Sequence, residues 1–521
     1  MPDSLILGIA CALIGVWAVF GGSPRVAVGL AIALLGLHVL LYSTLADDAF
    51  ITFRYARNLA DGHGPVFNPG QPVEGYSNLL QMIVLAAGRR WFGADIVTTA
   101  RVLGIVCAGL TIWVTWALAR RVSTEVFASS AALMVAVSGS VAAYAASGLE
   151  TSLFALLVTA QVLAWIRGWW ILAGLLLAAG TMTRPEGILM MIPAGAWLLS
   201  EQRSALARTA LAAGVPLVIW TMWRVSYYGY LLPNAMVAKM GMDPGYQLQL
   251  GALYVLTACM GHPFWLFVGA GAILASASTW RRLNRTDWVI VSVPCLYLVF
   301  IVAVGGDWMP AWRFVAPFVP LSAVAVALIC SRLTQDAEVS PFGWRGLAGT
   351  VALTSLILSV TNEDMVPRVR VWNAQVSGLS TIGRWLHDTL PADTLIATYA
   401  SGALPYYADL PTIDVLGLTD AHIARNGFRE RRGGTGHVAH DYPSVAARRP
   451  DLIVLTGNGF DRQPRVWSHP AFATDYRPVQ FQFRHETNPL GQYVSVLVRT
   501  SRSAELVSRL DHTSAVARHL P

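Results

Sequence analysis

Apolar runs dominate the first 360 residues, at roughly 5–21, 26–45, 97–119, 126–145, 151–166, 169–184, 186–200, 207–225, 262–279, 288–304, 313–331 and 346–360. About 20 mostly apolar residues are needed for a helix to cross the hydrocarbon layer, where every backbone N–H and C=O must find its partner inside the segment. So many such runs exclude a soluble enzyme and predict a polytopic all-α transmembrane protein of about 11–13 helices. The first run lacks a basic flank and a small-residue cleavage site, so it reads as an uncleaved span. The stretch 79–92 is apolar for about ten residues and then carries Arg89, Arg90 and Trp91. It is too short to span and reads as an interfacial helix.

Charge divides the chain in two. Residues 1–360 carry 35 charged side chains and the much shorter 361–521 carry 32. The expected plan is a transmembrane part over 1–360 and a soluble domain over 361–521. Short β-like runs at 394–400, 451–457 and 493–500, with helical stretches between them, predict a small mixed α/β fold for that domain. The basic residues form no stripe, which argues against nucleic acid as a partner. Arg25, Arg120/Arg121, Arg167, Arg203/Arg208, Arg281/Arg282/Arg285 and Arg332/Arg345 fall on alternate connections instead, the pattern of the cytoplasmic side of an inner or plasma membrane. The loop 46–96, the short connections near 146–150, 182–187, 226–261 and 305–312, and everything after 361 then face the periplasm or exterior. The five cysteines lie in apolar stretches without metal-ligand spacing and read as buried, inert thiols.

The unusual polar residues gather on that outer side. Asp47 and Asp48 stand where an apolar run ends and are expected to cap a helix over 49–60. One cap needs one carboxylate, and either acid could serve as general base toward a hydroxyl. Glu74, Tyr76 and Asn78 follow a turn-rich stretch, GHGPVFNPG. Glu150 sits in SGLET, Arg184 and Glu186 in TRPEG, Tyr228 and Asn234 in YYGYLLPN, and Asp307 in GGDWMP. Charges at or inside a membrane boundary are costly and mark functional sites by default. Arg54, Arg184, Lys239 (the one lysine) and Arg313 are the cations that could converge on a phosphate. His437 and His440 lie on a loop of the C-terminal part; two loop histidines without a third ligand do not make a metal site. No GxGxxG, Walker loop, HExxH or GxSxG occurs.

Together these segments resemble the GT-C superfamily of membrane glycosyltransferases, and within it the terminal arabinofuranosyltransferases of mycobacterial cell-wall assembly. The resemblance is carried by Asp47-Asp48 with the helix after them, residues 62–78, SGLET (147–151), RPE (184–186), YYGYLLPNAMVAK (227–239), GGDWMPAWRF (305–314) and, in the outer domain, IDVLGLTD (413–420) with Gly436-His437. It implies a polyprenyl-phosphate sugar donor, decaprenyl-phosphoryl-arabinofuranose in that family. It also implies a catalytic carboxylate in the first outer loop, at Asp47 or Asp48, and inversion by direct displacement onto a surface glycan or protein. Arg54, Arg184, Lys239 and Arg313 would then hold the donor phosphate. Glu74, Tyr76, Asn78, Glu150, Glu186, Tyr228, Asn234, Asp307 and His437 would contact substrate. No cofactor is expected; a divalent metal on Asp47, Asp48, Glu74 or Asp307 is less favoured, since cationic side chains supply the same stabilisation. Two other readings fit a chain of this kind: a carrier of lipid-linked sugar, and a non-enzymatic envelope or motility assembly factor.

Overall fold

The computed structural model describes residues 23–262, 283–333, 341–434, 436, 438–455, 470–483, 493–511 and 516–519. The runs expected at 5–21 and over nearly all of 262–279, and His437, lie outside the described residues.

Helix α1 (Pro24–Tyr42) ends on a left-handed Ser43, and α2 (Asp47–Ala60) and α3 (Leu79–Phe92) follow, joined by the turn-rich loop. Helix α4 (Ile96–Val122) starts where the Asp95 carboxylate accepts the Thr98 N–H. Its 27 residues rise about 40 Å, enough to cross a bilayer. Next come α5 (Glu125–Ala136), α6 (Gly139–Ala145), α7 (Thr151–Ile166), α8 (Trp170–Thr183), α9 (Met191–Glu201), α10 (Arg203–Tyr228), the short α11 (Asn234–Ala238), α12 (Pro244–Gly261) and α13 (Arg285–Val304). Asn284 and Asp287 form a capping box at the start of α13, and Asp287 also pairs with Arg332 at the end of α14 (Val319–Leu333). Helix α15 is Pro341–Thr361.

Among the described residues five segments are long and apolar enough to cross a membrane, or six if the pair α5–α6 is one span bent by 57°. Residues such as Leu211, Val218, Ile219 and Met222 leave more than half of their surface exposed along α10, a lipid-facing pattern on so apolar a helix. The expected run 126–145 is that bent pair. The runs expected at 169–184 and 186–200 are separated by a 3-10 turn, Pro185–Met190. The cause is Pro185, whose ring drives the preceding residue out of the α region: Arg184 is extended, at φ −148° and ψ 128°. The break leaves an arginine projecting from a gap between two apolar helices.

Helix α16 (Val366–Thr389) leads into a six-stranded sheet of order β2-β1-β5-β7-β6-β8. Its strands are β1 (Ile396–Thr398), β2 (Thr412–Asp414), β5 (Leu452–Leu455), β6 (Tyr476–Phe483), β7 (Tyr493–Arg499) and β8 (Val516–His519); β3 (Phe428–Arg429) and β4 (Ala439–His440) form a separate two-stranded pair. β1 is parallel to β2 and β5, and the remaining pairings are antiparallel. The three β-like runs seen in the sequence are β1, β5 and β7, three adjacent strands. Helix α17 (Ala403–Ala408) follows β1. It presents Tyr406 and Tyr407 to Phe50 of α2 at ring separations of 5.4 and 5.6 Å.

The first loop is stitched to this sheet. Asn68 takes the Thr412 N–H on its side-chain oxygen and gives its amide N–H to the Thr412 carbonyl, so it pairs with edge strand β2 as a further residue of the ladder would.

Candidate active site

The two acids at the start of α2 have different surroundings. The helix begins on Asp47 itself, its N-cap is Ala46, and no side chain caps it. The expected cap is therefore absent, and both carboxylates are free of that duty. The Asp47 carboxylate turns toward the sheet-bearing part and accepts the Ala403 N–H at 2.8 Å. Packing there is so close that a Cβ on Gly402 would lie 2.0 Å from the Asp47 carbonyl oxygen. Burial pushes the Asp47 carboxyl up to about 7, partly opposed by the Ala403 N–H and reinforced by the Asp48 charge. Asp48 is half-buried and lies within electrostatic reach of the Arg313 guanidinium and the buried Tyr144 hydroxyl.

Arg313 belongs to a centre built at three breaks between apolar helices. Arg184, at the Pro185 break, gives Nη1 to Glu150 at 3.0 Å and Nε to Glu186 at 2.6 Å. Arg313 stands 2.6 Å from Asp307 as an ion pair. The Phe314 ring lies between the two arginines, its centroid 5.0 Å from the Arg184 guanidinium carbon and 5.2 Å from that of Arg313. All five charged side chains of these pairs are at most a tenth exposed. Glu186 also accepts the Tyr297 hydroxyl, and Glu150 accepts the Asn78 amide. Asn78 in turn accepts the Thr52 hydroxyl from α2 and donates to Gln81 of α3. A chain of hydrogen bonds thus runs from the helix that starts with Asp47-Asp48 to the arginine centre. In so dry a setting a guanidinium interacts with an anion far more strongly than in water.

Asn78, Glu150, Arg184 and Glu186 thus form one bonded network, with the Arg313–Asp307 pair beside it at the shared Phe314 ring and Asp48 within electrostatic reach of Arg313. A second network holds Glu74, Tyr76, Tyr228 and Asn234. Glu74 pairs with Arg224 at 3.0 Å; Arg224 lies over the Trp220 ring and also donates to the Leu231 carbonyl. Burial raises the Glu74 carboxyl to about 7 against the pull of Arg224. The Tyr76 and Tyr228 hydroxyls meet at 3.1 Å, and Tyr228 donates to the Pro65 carbonyl. Asn234 donates to three carbonyls, Gly417, Leu418 and Asp420. These bonds fasten the first loop and the end of α10 to the sheet-bearing part.

Two of the four expected phosphate-binding cations lie apart from the arginine centre. Arg54 is buried, with Nε on the Phe67 carbonyl, Nη1 on the Pro405 carbonyl, and Nη2 on Asn68 and the Leu410 carbonyl. Four of its five N–H donors are engaged, so Arg54 is a strut, because carbonyls reach its fork before any ligand could. Lys239 is exposed just after α11 and has no ion pair among the described residues.

Sequence reasoning missed Arg224, Tyr297 and the Gly402-Ala403 approach to Asp47. Arg224 carried a usable signal, a charge near the far end of the apolar run 207–225, fifteen apolar or neutral residues beyond Arg208. Tyr297 carried none, since a tyrosine in an apolar helix is ordinary.

Residues 83–227 match the dolichyl-phosphate-mannose-protein mannosyltransferase family, and residues 368–502 match a domain of unknown function, DUF8728. The chain is 27% identical over 389 residues to the terminal beta-(1->2)-arabinofuranosyltransferase of Mycobacterium tuberculosis, covering 64% of this chain and 59% of that protein. It is 25% identical over 372 residues to the enzyme of the same name from Corynebacterium glutamicum, covering 60% of this chain and 51% of that one. The matched region is thus between half and three fifths of the relatives' length. In fold the chain is similar to ArnT from Cupriavidus metallidurans, with a TM-score of 0.60 at 12% identity over 91% of this chain and 98% of that one. The same protein bound to undecaprenyl phosphate gives 0.56 at 12% identity, over 90% and 97%. The chain is thus a multi-pass membrane protein, similar in part of its sequence to arabinofuranosyltransferases and in fold to ArnT.

Proposed function

We propose that this chain transfers a glycosyl group, arabinofuranose, from a polyprenyl-phosphate sugar to a cell-surface glycan or protein, with inversion at the anomeric carbon. The observation that carries the reading is a carboxylate at the start of α2, Asp48, within electrostatic reach of the buried Arg313 guanidinium, which shares the Phe314 ring with Arg184. Names of relatives support the sugar, and the lipid phosphate bound by the ArnT fold neighbour supports the donor class.

In this mechanism Asp48 takes the proton of the acceptor hydroxyl as its oxygen attacks the anomeric carbon. The bond from that carbon to the phosphate oxygen breaks, and polyprenyl phosphate leaves as an anion. Arg313 and Arg184 stabilise the leaving charge from fixed positions, so no reorganisation is needed as it develops. Their carboxylate partners Asp307, Glu150 and Glu186 hold the guanidiniums still and orient sugar hydroxyls. Asp47 is a positioning residue: its bond to Ala403 fixes the first turn of α2 and so the direction of Asp48. Lys239, exposed and apart from the arginine centre, has no part in holding the leaving phosphate there. Residues 1–360 form the membrane part and 361–521 the outer domain, with the site on the periplasmic or exterior face of the cell membrane.

The test is turnover in lipid nanodiscs with decaprenyl-phosphoryl-arabinofuranose and an arabinan acceptor. The unsubstituted chain is expected to release decaprenyl phosphate and lengthen the acceptor, and Asp48→Asn to lose this by about 10²–10⁴-fold, the usual worth of a general base. Full turnover by Asp48→Asn would sink the mechanism.

A further inference from the structure

Beside the arginine centre lies a cavity of about 320 Å³ between α12, the 305–312 loop and the start of α16. Tyr254, Thr257, Asp307, Trp308, Asp364 and Arg368 are among its walls. We propose that this cavity is the acceptor subsite and takes one neutral sugar ring of a glycan. The proposal rests on the transferase reading above and adds where the acceptor binds.

Three observations carry it. The first is continuity with the reacting centre. Asp307 is both a wall of the cavity and the ion-pair partner of Arg313, so a ring seated there touches the residue behind which the Asp48 charge acts.

The second is chemistry. The ionic groups in the wall are two carboxylates and one guanidinium, and Arg368 already pairs with Asp364 at 2.5 Å. With Asp307 paired to Arg313 and Asp364 to Arg368, the only guanidinium in the wall is already engaged, and the carboxylate oxygens accept hydrogen bonds from hydroxyls. Tyr254 and Trp308 add aromatic surface against which the C–H face of a sugar can pack. The volume sits at the low end of the ~300–1,000 Å³ of small-molecule sites. That suits a ring with a few waters and excludes a polyprenyl tail.

The third is rigidity. Ala311 and Trp312 in the floor are both left-handed, at φ 54° and 49°. For a bulky residue such as tryptophan this is strained and persists only where surroundings hold it. Here they do: the Ala311 N–H donates to the Asp364 carbonyl, the Tyr144 and Ser140 hydroxyls donate to the Pro310 and Ala311 carbonyls, and the Trp312 indole N–H donates to Thr257. A strained turn fixed by four bonds gives the cavity one shape. Its Trp308 wall is backed by Trp372 at a ring separation of 5.7 Å and lies close to Gly436. The cavity therefore sits at the seam between the helices and the sheet-bearing part, where a glycan from outside would arrive.

Leu253 also lines the cavity from the exposed face of α12. Leu253→Trp should fill it, and Arg368→Ala should loosen its mouth without adding bulk. In nanodiscs each variant is expected to raise the acceptor KM about tenfold while the donor KM changes less than twofold. A second readout needs no turnover. Saturation-transfer NMR with arabinofuranosyl, galactofuranosyl and mannosyl trisaccharides should give a signal with the unsubstituted chain and none with Leu253→Trp. Acceptor KM unchanged in both variants, a rise in donor KM instead, or no signal from any of the three saccharides would overturn the proposal. A saccharide signal that Leu253→Trp abolishes, in a chain that performs no transfer, would refute the transferase reading and keep the subsite. Transfer with unaltered acceptor KM would do the reverse.

Discussion

Replacing Asp47 by asparagine tests whether its surroundings are as dry as its neighbours imply. Burial holds the Asp47 carboxyl at about 7 in the folded chain, against 3.8 for an ordinary aspartate. The folded state therefore binds this proton more tightly than the unfolded state does. The stability carried by that difference is complete below pH ~4, is lost as pH rises through about 7, and stays lost above. At 1.36 kcal/mol per pKa unit, a shift of about three units sets a ceiling of ~4 kcal/mol. Relaxation and water at a partly exposed group would reduce it, and ~2 kcal/mol is a reasonable expectation. Asparagine keeps an oxygen for the Ala403 N–H and carries no charge. Thermal unfolding in detergent, followed by tryptophan fluorescence at pH 5 and pH 8, would read the difference. Asp47→Asn should be only modestly the more stable at pH 5, where little over a third of the shift has been expressed, and clearly the more stable at pH 8. Groups shared by both proteins, Glu74 included, cancel in the comparison. Parallel behaviour across that range would refute the reasoning, since it would mean that Asp47 titrates as a solvated carboxyl.

Gly402→Ala should loosen the Asp47–Ala403 bond, because the new Cβ would sit 2.0 Å from the Asp47 carbonyl oxygen; a loss of ~1–3 kcal/mol, the usual cost of overpacking, is expected in the same unfolding assay. Arg224→Met removes the partner of the buried Glu74 and should cost ~3–5 kcal/mol near pH 8, with a smaller loss near pH 5 where Glu74 is protonated. Asp47→Asn should retain turnover within about tenfold of the unsubstituted chain while Asp48→Asn does not, measured as release of decaprenyl phosphate. Arg184→Lys should lower kcat more than it raises the donor KM, because an ammonium cannot bridge Glu150 and Glu186 as the guanidinium fork does.

Much of this architecture was legible in the sequence because apolar length and charge are local properties. The Pro185 break was legible too, as an arginine and a glutamate around a proline in apolar sequence. What the sequence could not give was direction. Asp47 and Asp48 are adjacent and chemically alike, yet only Asp47 takes the Ala403 N–H while Asp48 lies within electrostatic reach of Arg313, and only the fold places those partners. Arg54 and Arg184 look equally promising as letters. One meets backbone carbonyls of the first loop and of 405–410, and the other meets carboxylates. Strands β2, β6 and β8 escaped for a related reason. β2 and β8 are short edge strands, and β6 carries Pro478 and exposed Arg477 between its inward Tyr476, Val479 and Phe481, so its apolar signal is interrupted.

The bonds between the first loop and the sheet-bearing part change how a division near residue 360 should be understood. Asp47 bonds to Ala403, Arg54 to Pro405 and Leu410, Asn68 to Thr412, and Asn234 to Gly417 and Leu418. Every one of these partners lies between residues 403 and 418, on β2, α17 or the turns beside them. The loop residues are mostly buried, and their polar groups would be unsatisfied without that partner surface. The helix that carries the two acids is therefore held both by the residues after 400 and by the Thr52–Asn78–Glu150 chain. A chain cut near residue 360 would keep the arginine centre and lose the bonds that hold the first turn of α2. The sheet-bearing part is thus one of the two walls between which the acids are set.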